Sequence, residues 1–301
     1  MNRVIVLVGP TAVGKTEYSL EIAKRYNGEI VSCDSMQLYK FMSIGSAKPT
    51  EEELGTVPHH LVDFFDPRDE FSVSIYSDMA RKAIKDILSR GKTPVISGGT
   101  GLYLNSILYE MDFSNKDKDQ DLRDELETLS NEELMERLTS IDSESAARIH
   151  INNRKKLIRA IEAEGLSDFS ALDNRNPDIS PVLIALTRDR DELYDRINRR
   201  VDLMVESGLF DEVKSLMELG LQVSDISMKG IGYKEVIDCI NGNSTIEDAV
   251  DTIKKNTRHY AKRQITWFKR YSDMNWVNIS EFSSKDDVLK HIFDIIDGFN
   301  G

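Results

Sequence analysis

The chain is poor in several features that would narrow its class. It has two cysteines in 301 residues, Cys33 and Cys239, far apart and in no Cys-x-x-Cys pair. That spacing excludes a disulfide framework and a thiolate zinc site, and both are read as small buried apolar residues. No apolar run approaches the roughly 18 residues of a membrane-spanning helix, and the first residues enter a strand pattern without the charged, apolar and cleavage regions of a secretory leader. A cytoplasmic protein with no membrane partner is therefore expected. No internal repeat and no low-complexity linker interrupts the chain. Positive charge is scarce: 39 Lys and Arg stand against 52 Asp and Glu, a net charge of −13. A uniformly basic, nucleic-acid-binding surface is excluded on that ground.

What is present is enough apolar residue, 40%, to bury a full core in one large or two modest domains. The charge is also unevenly spread. Residues 114–147 carry eleven Asp or Glu against four Lys or Arg, whereas residues 253–270 carry seven Lys or Arg and no acid. Such a concentration of positive charge marks a local anionic partner.

The strongest motif is at the start. Gly9, Gly14, Lys15 and Thr16 fit G-x-x-x-x-G-K-[ST], directly after the apolar run Val4 to Val8 and ahead of a helical pattern. In such a loop, backbone N–H groups converge on phosphate oxygens, the helix N-terminus adds partial positive charge, Lys15 adds a full one, and Thr16 can ligate Mg²⁺. The binding segment is Gly9, Pro10, Thr11, Ala12, Val13, Gly14, Lys15 and Thr16. The motif alone does not choose between ATP, GTP and a simple diphosphate ester.

Periodicity predicts further strands at residues 29–33, 94–97, 181–186 and 276–279. It also predicts a helix whose apolar positions are Ile75, Met79, Ala83, Ile84, Ile87 and Leu88, closed by Gly91. Strand, helix, strand in this order implies an α/β fold with a parallel sheet flanked by helices. Residues 114–178 are charged and helix-forming, with Leu122, Leu126, Leu129, Leu134 and Leu138 as the apolar positions. They are read as a helical insertion domain between a core of 1–113 and 179–301. Ligands in such sheets bind beyond the strand carboxyl ends, where Asp34 follows one strand and Gly98-Gly99-Thr100-Gly101 another. The 94–97 strand ends in Gly-Gly-Thr where a Mg²⁺-holding Asp would be expected, and no Asn-Lys-x-Asp motif occurs, which weakens motor and GTPase readings. Asp34 is left as the carboxylate available for chemistry, or else as the cap of its own turn.

Together "GPTAVGKT" (Gly9 to Thr16), "DSMQLY" (Asp34 to Tyr39), "GSAKP" (Gly45 to Pro49), "HHLVD" (His59 to Asp63), "GGTGLY" (Gly98 to Tyr103), "GIGYKE" (Gly230 to Glu235) and "TRHYAKRQITWF" (Thr257 to Phe268) resemble the signature set of the tRNA dimethylallyltransferases, or tRNA isopentenylpyrophosphate transferases. The departures are small: Ser46 stands where Thr is usual, and Lys269 where Arg is common. The resemblance implies a P-loop-type core and transfer of a dimethylallyl group from dimethylallyl diphosphate to N6 of adenosine 37, in tRNAs that read codons beginning with U. The loop would then hold a diphosphate, with Mg²⁺ as cofactor.

The chemistry follows from need. An adenine amine is a poor nucleophile, so a carboxylate should take its proton as the C–N bond forms, and Asp34 is the candidate. Lys15 and the loop amides would stabilise the leaving diphosphate. By resemblance Arg200 is the second cation, with Arg196 as the substitute, and Thr100 orients the leaving group or the amine. The target base must leave its stack, and Ser35, Met36 and Gln37 beside Asp34 are placed to meet it. Arg258, Lys262 and Arg263 would contact tRNA phosphates, with Tyr260 interleaved and Trp267 read as buried. By resemblance Arg123 and the segment Lys155, Lys156, Leu157, Ile158 and Arg159 are further RNA contacts, although Leu157 and Ile158 look like core. His59 and His60 are expected to be structural or to serve as a polar lining. The partners implied are a tRNA anticodon stem-loop and dimethylallyl diphosphate, on a monomer. The rivals are an adenylate isopentenyltransferase, which the basic stretch at 253–270 argues against, a P-loop small-molecule or nucleotide kinase, and an RNA-binding protein with a vestigial loop.

Overall fold

A computed structural model describes residues 2–111, 120–162 and 174–299. The chain divides into two compact units, Met1–Leu108 with Arg175–Gly301, and Tyr109–Asn174. The second begins and ends a few residues earlier than the 114–178 read from composition.

The first unit is built on six strands: β1 (Asn2–Val8), β2 (Gly28–Cys33), β3 (His59–His60), β4 (Thr93–Gly98), β5 (Ile179–Thr187) and β6 (Asn275–Asn278). They form one sheet in the order β3-β2-β4-β1-β5-β6, with every pairing parallel. β1 pairs on both edges and is covered on both faces, which is why Val4 to Val8 form an unbroken apolar run rather than an alternating one; all five are fully buried. Each strand returns to the sheet through helical segments, as parallel pairing requires.

The helix expected around Ile75 to Leu88 spans Val73–Ser89, with Ser72 capping it by accepting the Ile75 N–H at 3.2 Å. Its buried face is Tyr76, Ala80, Ile84 and Ile87, and Ile75 points to solvent. The apolar spacing fits the helix, but Tyr76, with a polar hydroxyl, is the residue that enters the core. That hydroxyl donates to the Ser32 carbonyl at 2.9 Å, which explains how it can be buried.

β3 was not expected. It pairs Ile30 with His59 and Val31 with His60 at the sheet edge. The His60 Nε2 lies 2.7 Å from Glu29, a residue only 2% exposed, which also binds Arg90 through both oxygens and Lys92 at 2.7 Å. A buried carboxylate is tolerable here because three basic side chains converge on it.

The second unit, described by itself, has helices Gln120–Thr128, Asn131–Ile141, Ser143–Arg148 and Arg154–Glu162. Its core contains Leu126, Leu134, Leu138, Ala146, Leu157, Ile158 and Ile161, with Leu122 and Leu129 packed at the edge. Ser130 and Glu133 form a capping box at the second of these helices.

The Arg90 hydrogen bonds hold the Glu29 carboxyl well below the usual carboxylate range, with Lys92 and His60 adding to the effect. A depressed folded-state pKa contributes stability above the unfolded value, roughly 4.3, and loses it as pH falls toward the folded one. Glu29→Gln should therefore lower stability by about 1–3 kcal/mol at pH 7, Arg90 and Lys92 being partly hydrated in compensation. Thermal unfolding from pH 7 to pH 3 should show the gap between wild type and variant closing at the acid end.

Candidate active site

The site lies above the carboxyl ends of β1, β2 and β4. β1 passes into the loop Gly9 to Gly14 and then the helix Lys15–Arg25. Gly14 adopts φ +113°, a conformation that side chains disfavour and that turns the chain into the helix. The loop's carbonyls are hydrogen-bonded by cations. Lys15 Nζ donates to Gly9 O at 3.0 Å and Pro10 O at 2.9 Å, Arg196 Nε to Ala12 O at 2.9 Å, and Arg188 Nε to Val13 O at 3.0 Å. With its negative ends occupied in this way, the loop is suited to present positive charge to an anion.

β2 ends at Cys33, and Asp34 opens the next turn. Asp34 Oδ1 accepts the Met36 N–H at 2.9 Å and the Gln37 N–H at 3.4 Å. It therefore does cap its turn, and it also lines a cavity of about 690 Å³. Lys15, Thr16, Arg196, Arg200, Tyr260 and Gln264 line the same cavity. Lys15 is desolvated, which lowers its pKa to about 8 although Asp34 opposes the shift and Arg200 assists it. Arg200 is lowered by burial in the same way and raised by Asp34. One carboxylate and two partly desolvated cations thus act on one another across the cavity.

β4, which lies between β1 and β2 in the sheet, ends in the glycine-rich turn. A Cβ on Gly98 would stand 2.1 Å from the Cys33 carbonyl oxygen, one on Gly99 2.2 Å from Gln264, and one on Gly101 2.1 Å from Trp267. The glycines are thus required by close approach. The gripping residues Tyr260, Gln264 and Trp267 fall at i, i+4 and i+7 of the helix Ile246–Phe268, on one face. Gln264 Nε2 donates to Gly99 O at 2.9 Å, and the Tyr260 hydroxyl is hydrogen-bonded to Thr100. Burial pushes the Tyr39 phenol up to about 12 and those of Tyr103 and Tyr260 upward as well, so all three stay neutral hydroxyls near Asp34. Burial likewise pushes the Cys33 thiol up to about 12, which leaves it without thiolate character.

The family model for IPP transferase matches residues 37–271, and that for isopentenyl transferase matches residues 2–63. A curated tRNA dimethylallyltransferase from Alkaliphilus oremlandii is 47% identical over 300 residues, covering 97% of this chain and 96% of that protein. The crystal structure of the tRNA isopentenylpyrophosphate transferase from Bacillus halodurans superposes with a TM-score of 0.77 at 44% identity, covering 99% of this chain and 96% of the other. The chain belongs to the tRNA dimethylallyltransferase family. A eukaryotic dimethylallyltransferase, solved acting on tRNA, is similar at 27% identity with a TM-score of 0.85, over 98% of this chain and 78% of its own.

Measured against the residues that the family resemblance implies, the structure gathers Lys15, Thr16, Asp34, Ser35, Met36, Gln37, Arg200 and Arg263 around the cavity. Several expectations gain detail or change. Thr100 Oγ accepts the Ser35 N–H at 3.1 Å, which ties the turn after β4 to the residue beside Asp34. The Thr11 amide is already spent, donating to Gln264 Oε1 at 2.9 Å. The Gln37 amide is used at both ends, by the Ala47 carbonyl at 3.1 Å and the Ser32 hydroxyl at 3.3 Å, which leaves it poorly suited to read a base. In the second unit, Leu157 and Ile158 are 0% and 1% exposed and belong to its core, which corrects their reading as RNA contacts. The exposed positions of that helix are Lys155, Lys156 and Arg159. Arg123 is held by Glu162 at 3.0 Å and Glu127 at 3.5 Å. Arg258 binds Asn198 at 2.6 Å, whereas Lys262 and Arg263 are exposed and Arg263 lies over the Tyr260 ring.

Several contributors carried no assigned role in the sequence. Arg188 and Gln264 are two of them. Glu212 is a third: its carboxylate accepts the N–H groups of Ser43 and Ile44 at 2.7 Å and of Gly45 at 3.0 Å, and the Tyr233 hydroxyl at 2.9 Å, which fixes the Gly45 to Ala47 wall. Gln264 and Tyr233 lie inside recognisable motifs; Glu212 sits in an ordinary amphipathic helix and carries no sequence signal.

Since Lys15 loses its charge as pH rises through about 8, inorganic pyrophosphate should bind progressively more weakly to the wild type above that pH. Lys15→Ala should bind about tenfold or more weakly at pH 7. Calorimetric titrations between pH 6.5 and 9.5 should show that the component of the pH dependence due to Lys15 disappears in the variant.

Proposed function

We propose that the protein transfers the dimethylallyl group of dimethylallyl diphosphate to the exocyclic N6 of adenosine 37 in tRNAs reading codons that begin with U. The observation that carries this reading is the juxtaposition, in one cavity, of an anion cradle bearing Lys15 and Arg200 with the carboxylate of Asp34 from a neighbouring strand. The adenine nitrogen forms a bond to the allylic carbon, the carbon–oxygen bond breaks, and diphosphate departs with the electron pair. Asp34 accepts the N6 proton, its second oxygen being unburdened by the two turn N–H bonds made by Oδ1. General-base help of this kind is worth on the order of 10² to 10⁴ in rate.

The charge that grows on the diphosphate is met by Lys15, by Arg200 and by the helix N-terminus at Lys15. Thr16 offers a hydroxyl at the same end of the cavity, and together with diphosphate oxygens it makes the hard-oxygen donor set that suits Mg²⁺. When bound, Mg²⁺ would supply Lewis-acid neutralisation of the leaving group. The exposed Lys262 and Arg263 on the helix Ile246–Phe268 fit tRNA phosphates. In the second unit, so do the exposed Lys155 and Lys156.

Mass spectrometry of nucleosides from tRNA incubated with the protein, dimethylallyl diphosphate and Mg²⁺ should reveal N6-dimethylallyladenosine. Product on free AMP but not on tRNA would shift the reading to an adenylate isopentenyltransferase, and label moving from γ-phosphate ATP to a small acceptor would shift it to a kinase. Asp34→Asn should lower turnover by at least 10² while pyrophosphate and tRNA affinities stay within a few-fold; full activity in this variant removes the general-base role. Replacing Arg258, Lys262 and Arg263 together by Ala should weaken tRNA binding and flatten the slope of log K against log salt by about 2.

A further inference from the structure

Gln264 stands at a junction that no motif reading assigns. It is 5% exposed, lines the active-site cavity, and uses both ends of its amide. Its Oε1 accepts the Thr11 N–H at 2.9 Å, and its Nε2 donates to the Gly99 carbonyl at 2.9 Å. The partners fix this orientation, because an N–H can only donate and a carbonyl can only accept. Thr11 belongs to the loop that cradles the leaving group. Gly99 is followed by Thr100, whose hydroxyl oxygen accepts the Ser35 N–H at 3.1 Å, and Ser35 follows Asp34. A hydrogen-bonded path therefore crosses the end of β4, from the loop after β1 to the carboxylate after β2.

The backbone ladders of β4 reach β1 and β2 as far as Gly98, and the Gly99 and Thr100 N–H groups donate to the Cys33 carbonyl at 3.1 and 3.0 Å, which ties the turn to β2. On the β1 side, the Thr11 amide of the loop is tied to the turn through the Gln264 side chain. A side chain on Gly99 cannot replace it, because the space of its Cβ is filled by the Gln264 amide at 2.2 Å. Resting on the prenyl-transfer reading, we infer that Gln264 is a positioning residue for that reaction: it locks the leaving-group cradle to the turn above β4 that supports the proton-accepting carboxylate, without itself touching the reacting atoms. The dependence is steep, since a misplacement of about 1 Å can cost on the order of 10² in rate.

Gln264→Met keeps the length of the side chain and removes both hydrogen bonds. With the folded fraction verified by circular dichroism, it should lower kcat about 10²-fold and weaken inorganic pyrophosphate binding about tenfold, with tRNA affinity within twofold of wild type. Combined with Thr100→Val, which acts further along the same path, the loss in kcat should fall short of the product of the single losses. A merely structural role would instead lower activity in proportion to the folded fraction, with the pyrophosphate Kd unchanged, and that result overturns the inference. So do wild-type constants in Gln264→Met, or losses that simply multiply with Thr100→Val. If the Met variant does not fold, Gln264→Glu keeps the acceptor for Thr11 and loses the donor to Gly99. It should lower kcat more than tenfold, and wild-type values would again overturn the assignment. Absence of dimethylallyl transfer in the wild type itself would reject the reaction reading, and the inference with it.

Discussion

The site depends on β4 running between β1 and β2. Neighbouring strands lie about 4.8 Å apart, so the phosphate loop after β1 and Asp34 after β2 are held at about twice that spacing, roughly 10 Å. That interval is occupied above β4 by a turn with almost no side-chain bulk. In the proposed reaction, a diphosphate leaving group on one side and a proton acceptor on the other would need such a gap, because the reacting carbon and the attacking nitrogen would both have to fit between them. If β1 and β2 were adjacent, cradle and carboxylate would neutralise each other as an ion pair.

The electrostatics follow from the same spacing. Lys15 and Arg200 are desolvated and repel one another, and Asp34 partly offsets the cost of their burial. The loop carries its own compensation: Lys15, Arg188 and Arg196 bind its carbonyls, so cations face both the loop and the cavity. A net charge of −13 is compatible with binding two anionic substrates because the positive charge is local. It concentrates at the cavity wall and on the helix Ile246–Phe268, whereas acid predominates in residues 114–147.

Polar side chains outside the obvious motifs do much of the positioning. Glu212 gathers three backbone N–H groups and a tyrosine hydroxyl, and so holds the cavity wall at Gly45 to Ala47. Tyr260, Gln264 and Trp267 give one face of a helix to the successive residues Thr100, Gly99 and Gly101. Two sequence motifs more than 150 residues apart are therefore the two halves of one packing contact. The glycines of the first are explained by the side chains of the second.

The sequence by itself determined the parts that rest on local chemistry. The unbroken apolar runs of β1 and β5 and the short apolar segments of β2 and β4 announce buried parallel strands, the loop from Gly9 to Thr16 carries its anion chemistry in consecutive residues, and the leucines of residues 122–138 mark a second helical core. Asp34 was legible as the available carboxylate because it follows a strand that ends at the ligand-binding edge. Tertiary structure alone decided what depends on residues far apart in the chain: that β4 separates β1 from β2, that β3 is stitched to the edge by His60 and Glu29, that Thr100 supports Ser35, and that Gln37 and the Thr11 amide are already engaged. The physical reason is that a side chain's hydrogen-bonding capacity is printed in its chemistry, but its partner is chosen by which backbone groups the fold leaves unpaired beside it.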